Sequence, residues 1–443
     1  MTIYALSSGL GTSGIAVIRI SGPEAKLAIS TLTEAPFPEP RIATLKKVNN
    51  INKTGMIDEG IILWFPGPKS YTGEDMAEIH VHGSKAVIQS LLKSISQIKN
   101  CRMAEPGEFT KLAFQNGKIN LLKAESIGDL ISSETEIQMK QALTIIAGNN
   151  LKKFEHWRNE LLKILSHIEA KIDFPDEDLP ENILKNIKDT SLKITNEIEK
   201  NLNDKKVGEI IREGFKIAII GPPNVGKSSL INYLSRREVA IVSEKAGTTR
   251  DVIETHLDLE GIQVIISDTA GIRDTSDEIE KKGVKLAVSR AEDADLLIIM
   301  LDPKNLNFKG FLNEKLDGNS ILVVNKSDLL KEKLNPEILK LNHVLISLKD
   351  NSNIDELISK IKNSLKNKFI TEEDILITRE RHRQHLVQCV DHLKNFLDKN
   401  TKKDFDKAAE DLRLATRHLG MIVGKVDVEE ILGSIFNDFC IGK

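Results

Sequence analysis

Short apolar runs punctuated by turn residues fill the first part of the chain. Gly14–Ile20 (GIAVIRI), Gly60–Phe65 (GIILWF) and Ala77–His82 (AEIHVH) alternate or run apolar, and turn signals such as Phe65-Pro-Gly-Pro68 separate them. This pattern predicts a strand-dominated α+β domain over residues 1–118. From residue 119 to 213 Leu, Ile, Lys and Glu recur at spacings of three and four, as in Leu161, Leu162, Ile164, Leu165 and Ile168, which is a helical texture. Residues 214–370 alternate buried-strand runs with helical stretches, as a doubly wound parallel sheet requires. The helical texture returns over 371–443, with Leu386, Val387, Val390 and Leu393, then Leu412, Leu414 and Leu419. The expected architecture is therefore a multidomain α/β chain. An α+β domain comes first, and an all-α domain in two parts, 119–213 and 371–443, is interrupted by an inserted α/β domain. Such an insertion is tolerated where the flanking chain ends lie close together.

The inserted segment carries Gly221-Pro-Pro-Asn-Val-Gly226-Lys227-Ser228-Ser229, which fits G-x-x-x-x-G-K-[ST]. The apolar run Lys216–Ile220 precedes it, and Ser228–Arg237 follows with Leu230, Ile231 and Leu234 on one helical face. A strand, a glycine loop and a helix in that order cradle phosphates with backbone N–H groups and the positive helix end. Lys227 then reaches the terminal phosphates, and Ser228 offers its hydroxyl to Mg2+. The alternative reading is a glycine turn before an ordinary helix.

Asn325-Lys326-Ser327-Asp328 follows the apolar run Ile321–Val324. A fixed carboxylate at Asp328 accepts from both N1–H and N2–H of guanine, two donors that adenine does not present in that arrangement. Between these motifs lie Gly247-Thr248-Thr249-Arg250-Asp251 and Asp268-Thr-Ala-Gly271. Thr249 is placed to close on Mg2+ when a γ-phosphate is present, Asp268 to hold Mg2+ through water, and Gly271 N–H to meet the γ-phosphate; the order of such loops depends on the nucleotide. Ser347-Leu348-Lys349 resembles the S-A-K guanine-contact element of translation-factor-like GTPases, with Leu348 in place of Ala. The order of the motifs resembles that of the translation-factor-like GTPases. The expected nucleotide contacts are Asn224, Val225, Gly226, Lys227, Ser228 and Ser229; Ser243, Glu244, Lys245, Ala246, Gly247, Thr248 and Thr249; Asp268, Thr269, Ala270 and Gly271; and Asn325, Lys326, Asp328, Ser347, Leu348 and Lys349. Position 272 is Ile, where many signalling GTPases place a water-orienting Gln, so another residue must do that work. Glu280, Glu278 and Asp277 are the nearby carboxylates.

Composition narrows the setting. In 443 residues, 62 Lys plus Arg stand against 65 Asp plus Glu, a net charge of −3, so contact with RNA has to be local or shared. Three cysteines, Cys101, Cys389 and Cys440, form no C-x-x-C pair, which points to a reducing compartment. The longest apolar run, Leu296–Leu301, is too short to span a bilayer, and no basic, apolar leader opens the chain. The expectation is a cytoplasmic protein without a membrane segment.

The flanks resemble one family. Val17-Ile-Arg-Ile-Ser-Gly22, Trp64-Phe-Pro-Gly-Pro68, Tyr71-Thr-Gly-Glu-Asp75, Ala104-Glu-Pro-Gly-Glu-Phe109, Ile172-Asp-Phe-Pro-Asp176 and Phe439-Cys-Ile-Gly-Lys443 are together similar to the MnmE (TrmE) tRNA-modification GTPases, from the first residue to the last. The resemblance implies a homodimer joined through N-terminal domains that are like folate-binding domains. It implies a K+-activated GTPase and a complex with the FAD protein MnmG. That complex adds an aminomethyl or carboxymethylaminomethyl group to C5 of the tRNA wobble uridine. The family's K+ ligand falls on Asn224, with Ser243, Lys245 and Thr248 in the loop that closes over the ion. Its water-orienting glutamate falls on Glu280. Contacts to a tetrahydrofolate derivative, 5-formyl- or 5,10-methylene-tetrahydrofolate, fall on Arg19, Glu78, Lys118 and Lys443. The chemistry agrees: Arg19 and Lys118 suit folate carboxylates, and Glu78 suits pterin N–H groups, although each also suits a surface ion pair.

Cys440 has two readings, a packing residue or a thiol close to the transferred one-carbon unit; with Glu280 and Lys227 it completes the candidate catalytic set. His80 and His82 share a strand face without a third metal ligand. Two other functions stay open. A ribosome-assembly GTPase switch shares the nucleotide motifs but needs an RNA module, and no KH-like G-x-x-G follows the G domain. A folate-dependent aminomethyl-transfer enzyme with GTP only regulatory differs in which site does the chemistry.

Overall fold

The structure, a computed structural model, describes residues 1–9, 11–173, 181–237, 239–240, 254–268, 292–303, 319–330, 341, 343–369, 375–399, 405–426, 432, 435–436 and 439–442. The chain forms two compact units. One comprises Met1–Ile131, Thr144–Leu192 and Gln388–Lys443; the other comprises Ser132–Leu143 and Lys193–Val387.

The first unit opens on a six-stranded sheet of β1 (Thr2–Leu6), β2 (Ser13–Ser21), β3 (Thr44–Asn49), β4 (Met56–Phe65), β5 (Met76–Gly83) and β6 (Cys101–Met103), in the order β3-β4-β5-β2-β1-β6. The three runs expected to be strands lie inside β2, β4 and β5. Strand alternation sorts the side chains. Ile18, Ile20, Ile62, Trp64, Ala77 and Ile79 enter a core with Ile29 of α1 (Ala25–Leu32) and Leu91 of α2 (Lys85–Ser96). Arg19 and Glu78, one place along, face the other way, on the side where Ala5 packs with Phe109 of α3 (Glu108–Gln115). The helical part of this unit includes α4 (Leu121–Ser132) up to Ile131 and α6 (Asn149–Asp173), whereas most of α5 (Glu136–Ile146) belongs to the second unit. After the inserted segment come α11 (Glu380–Asp398), which belongs to this unit from Gln388 onward, and α12 (Phe405–Val423). α12 runs along α6, with Arg413 Nε 3.0 Å from Glu169 and Lys425 Nζ 2.6 Å from Glu155.

The second unit is built on a seven-stranded sheet. Its strands are β7 (Phe215–Ile220), β8 (Val239–Ala240), β9 (Glu254–Leu259), β10 (Ile262–Asp268), β11 (Leu296–Leu301), β12 (Ser320–Val324) and β13 (His343–Leu345), in the order β13-β12-β11-β7-β10-β9-β8. The pairings are parallel except those of β9, which is antiparallel to both its neighbours. Strands buried on both faces read as continuous apolar runs, and every residue of β11 and β12 is buried. Ile217 and Ile219 pack against Leu230 and Leu234 of α9 (Lys227–Arg237) and Leu357 of α10 (Ile354–Phe369). On the opposite face Ala218 and Ile220 pack with Leu297, Ile299 and Leu301 of β11. Strand order reverses around β7, so the loop after β7 opens at the switch point where doubly wound sheets bind ligands. α7 (Glu181–Leu202) and α8 (Val207–Glu213) lead into β7. No described helix is long and apolar enough to cross a membrane.

Candidate functional site

The glycines of the loop after β7 are required by close approach. A Cβ on Gly221 would lie 2.1 Å from the Met300 carbonyl oxygen, and one on Gly226 would lie 2.3 Å from Asn325 Nδ2. Both have positive φ, as does Asn224 at 62°, a left-handed conformation that Asn tolerates. The loop ends at α9, whose first residue, Lys227, is buried and turns its amine back onto the carbonyls of Gly221 (2.8 Å) and Pro222 (2.9 Å). Val225 is fully buried and anchors the loop in the core, while Asn224, Ser228 and Ser229 are exposed. The result is a rigid loop at a helix N-terminus, with a cation folded across it, which suits a polyphosphate.

Two further loops converge on it. Asn325 is buried and donates from Nδ2 to Val225 O (2.8 Å), while its Oδ1 accepts from Leu348 N (3.3 Å). Lys326 donates to Asn224 O (2.6 Å) and pairs with Asp302 at 3.0 Å. Asp328 is exposed, and Ser347 Oγ donates to its Oδ1 at 2.9 Å. The Asp350 N–H in turn donates to Ser347 Oγ (3.2 Å). The carboxylate is thus held in place at the rim, as a base reader needs, and Asn325 acts as the strut between the loops. Asp268 ends β10 beside β7, in register with Ile219.

On the α3 side of the first sheet Arg19 and Glu78 are direct cross-strand partners. Arg19 donates to Glu78 Oε1 from Nε (3.1 Å) and Nη2 (2.9 Å), and its guanidinium lies 5.6 Å from the Tyr71 ring centre and 5.7 Å from that of Phe109. Tyr71 is hydrogen-bonded to Thr110 Oγ1 at 2.9 Å, and burial pushes its hydroxyl above the usual tyrosine range. Lys118 lays its alkyl chain over Gly73, two residues beyond Tyr71. The last described residues dock nearby: Ser7 Oγ donates to Gly442 O (2.8 Å), Ile441 bridges to Pro106, and Phe439 packs with Phe436 and Leu121. Cys440 is exposed on this tail, whereas Cys389 is buried, and burial pushes its thiol far up.

Comparison with known proteins decides the family. The family model described as "MnmE helical domain" matches residues 121–440, and "GTP-binding protein TrmE N-terminus" matches residues 2–118. The tRNA modification GTPase MnmE of Pelagibacter ubique (strain HTCC1062) is 70% identical over 443 residues, covering 100% of both chains. The chain belongs to the MnmE family. The tRNA modification GTPase MnmE of Rickettsia bellii (strain RML369-C) is 44% identical, again over 100% of both chains. A crystal structure of an Aquifex aeolicus Era variant bound to GDP and AlF4− is 27% identical, with a TM-score of 0.27, and covers 40% of this chain and 66% of that one.

Within this MnmE-family chain the structure brings Asn224 to Ser229 together with Asn325, Lys326, Asp328, Ser347 and Leu348, and it brings Arg19 to Glu78. Lys349 is exposed on the same loop as Ser347. Ser243, Glu244, Lys245, Ala246, Gly247, Thr248, Thr249, Thr269, Ala270, Gly271, Glu280 and Lys443 lie outside the described residues, as does the side chain of Asp268. His80 and His82 pair with Glu78 and Asp58 respectively, and no metal-binding group of His, Cys, Asp or Glu occurs among the described residues. Sequence reasoning gave no role to Tyr71, Phe109 or Asp302. The first two stand inside the family motifs quoted above, and Asp302 directly follows the β11 run, so position alone was an available signal.

Proposed function

We propose that this MnmE-family GTPase hydrolyses GTP in a K+-dependent reaction. We further propose that, as a homodimer working with the FAD protein MnmG in the cytoplasm, it modifies C5 of the tRNA wobble uridine with a folate one-carbon unit. The observation that carries the nucleotide half is the fixed Asp328 carboxylate beside a loop braced by Asn325. Lys227 sits on two loop carbonyls and exchanges them for phosphate oxygens when nucleotide enters. Ser228, exposed in the first turn of α9, would hold Mg2+, and Asn224, exposed at the loop's crest, would hold K+ through its amide oxygen. A monovalent cation there supplies positive charge against the phosphates as charge develops, the part an arginine plays in other GTPases.

Asn224→Ala is therefore expected to abolish stimulation by K+ over Na+ while nucleotide affinity stays nearly unchanged. Steady-state hydrolysis in the two salts checks this, and equal wild-type rates in both would remove K+ from the mechanism.

For the one-carbon half, support comes from the Arg19–Glu78 pair flanked by two aromatic rings, and from the exposed Cys440 on a tail docked against the same domain. Arg19, Lys118 and Lys443 would meet folate carboxylates and Glu78 the pterin. Cys440→Ser is expected to abolish wobble-uridine modification in tRNA from a complemented deletion strain and to spare GTP hydrolysis. Normal modification would leave Cys440 a bystander; loss of both activities would mark misfolding.

A further inference from the structure

The segment Ser132–Leu143 belongs to the same compact unit as the GTPase sheet. Thr135 and Gln138 cap the start of α5 reciprocally, with Gln138 N donating to Thr135 Oγ1 (3.4 Å) and Gln138 Oε1 accepting from Thr135 N (3.1 Å). The same Gln138 side chain donates from Nε2 to Gln263 Oε1 (2.8 Å) and Arg212 O (3.4 Å). Glu134 accepts from Gln263 Nε2 and is 3.1 Å from His256 Nδ1. Gln141 donates to Gly208 O at 3.2 Å. Gln138 and Gln263 are both buried, each 8% exposed.

These contacts converge on the starting ends of two neighbouring parallel strands. Gln263 is the second residue of β10, and Arg212 belongs to α8, which feeds β7 through Gly214. A Cβ on Gly214 would lie 2.9 Å from Ile265 Cδ1, so the two strands are locked closely there. At their other ends, β7 runs into the Gly221–Lys227 loop and β10 stops at Asp268. A paired strand is stiff along its length, so a shift between β7 and β10 at the base is carried to the loop and Asp268 at the top.

We propose that Glu134 and Gln138 are positioning residues for GTP hydrolysis: by bolting β10 to the α8–β7 entry they set the relative placement of the phosphate loop and Asp268. Hydrolysis is then coupled to the position of a helical segment outside the nucleotide-binding motifs.

The test uses the full chain in K+ and Mg2+ buffer. Glu134→Ala is expected to lower kcat about tenfold while KM for GTP and GDP affinity move less than about twofold. Glu134→Gln, which keeps an acceptor oxygen, recovers most of the rate, and Glu134→Ala combined with Gln263→Ala is no slower than the worse single variant. Gln138→Glu, which keeps the capping acceptor but loses the Nε2 donor, carries the same expectation as Glu134→Ala and serves if that variant does not fold. Unchanged kcat in both, parallel losses of kcat and nucleotide affinity, or additive effects in the double variant would each overturn the proposal.

Discussion

Asp328→Asn is expected to lose GTP by about 10^4-fold and to gain xanthosine triphosphate. The carboxylate stands exposed at the site's rim, with Ser347 Oγ 2.9 Å from Oδ1 and Asp350 N holding the hydroxyl in turn. Guanine presents N1–H and N2–H to such an acceptor pair. An amide replaces one acceptor with a donor that opposes N2–H but meets the C2 carbonyl of xanthine. A site that pairs polar groups rejects the mismatched base strongly, because its own groups are left unpaired. The serine hydroxyl can turn to either Asn atom, so the loop survives the exchange. Affinities of the two proteins for guanosine, xanthosine and adenosine triphosphates measure it. Tight ATP binding by the unsubstituted protein would sink the guanine assignment.

The nucleotide loop was legible in the sequence because its requirements are local. Gly221 and Gly226 stand where the backbone meets Met300 O and Asn325 Nδ2, and strand and helix signals lie on either side within a few residues. β7, α9 and β12 accordingly lie where the runs Lys216–Ile220, Ser228–Arg237 and Ile321–Val324 place them. The role of Asn325 was not legible. It stands in a motif read for its contact with the base, yet its amide bridges Val225 and Leu348, partners that pattern cannot pair over such separations. The same limit hid Gln138, one polar position in the helical texture of 119–213; its bond to Gln263 spans 125 residues. Composition says nothing about Tyr71 and Phe109, since an aromatic beside Arg19 is recognised only once the sheet face is built.

Arg383→Met is expected to destabilise the unit that holds the GTPase sheet by about 3–5 kcal/mol, the cost of leaving a buried partner charge uncompensated. Arg383 is 9% exposed, and it is held by three elements at once. Its Nε and Nη2 donate to the two oxygens of Glu209 on α8, each at 2.7 Å, Nη2 also donates to Asp204 at 2.7 Å, and Nη1 to Leu202 O at the end of α7 at 2.9 Å. Burial alone would lower the guanidinium pKa; the bonds to Glu209 and Asp204 override it and hold the group charged, well above its ordinary range. Nearby, a Cβ on Gly208 would lie 2.1 Å from Ile377 O, so the chain leading into the inserted segment and the chain leaving it are in backbone contact. The clamp closes that junction. A solvated pair such as Lys140–Glu136 contributes little and is screened by salt, whereas Glu209 is 6% exposed and shielded from solvent, so losing Arg383 leaves its charge in a poorly solvated place. Urea unfolding followed by far-UV circular dichroism and by nucleotide release measures the loss. Replacing Glu209 by Gln and Asp204 by Asn in the Arg383→Met background removes the stranded charges, and is expected to recover part of the stability. A midpoint for Arg383→Met equal to that of the parent protein would show that the junction is held by its backbone packing and not by the ion cluster.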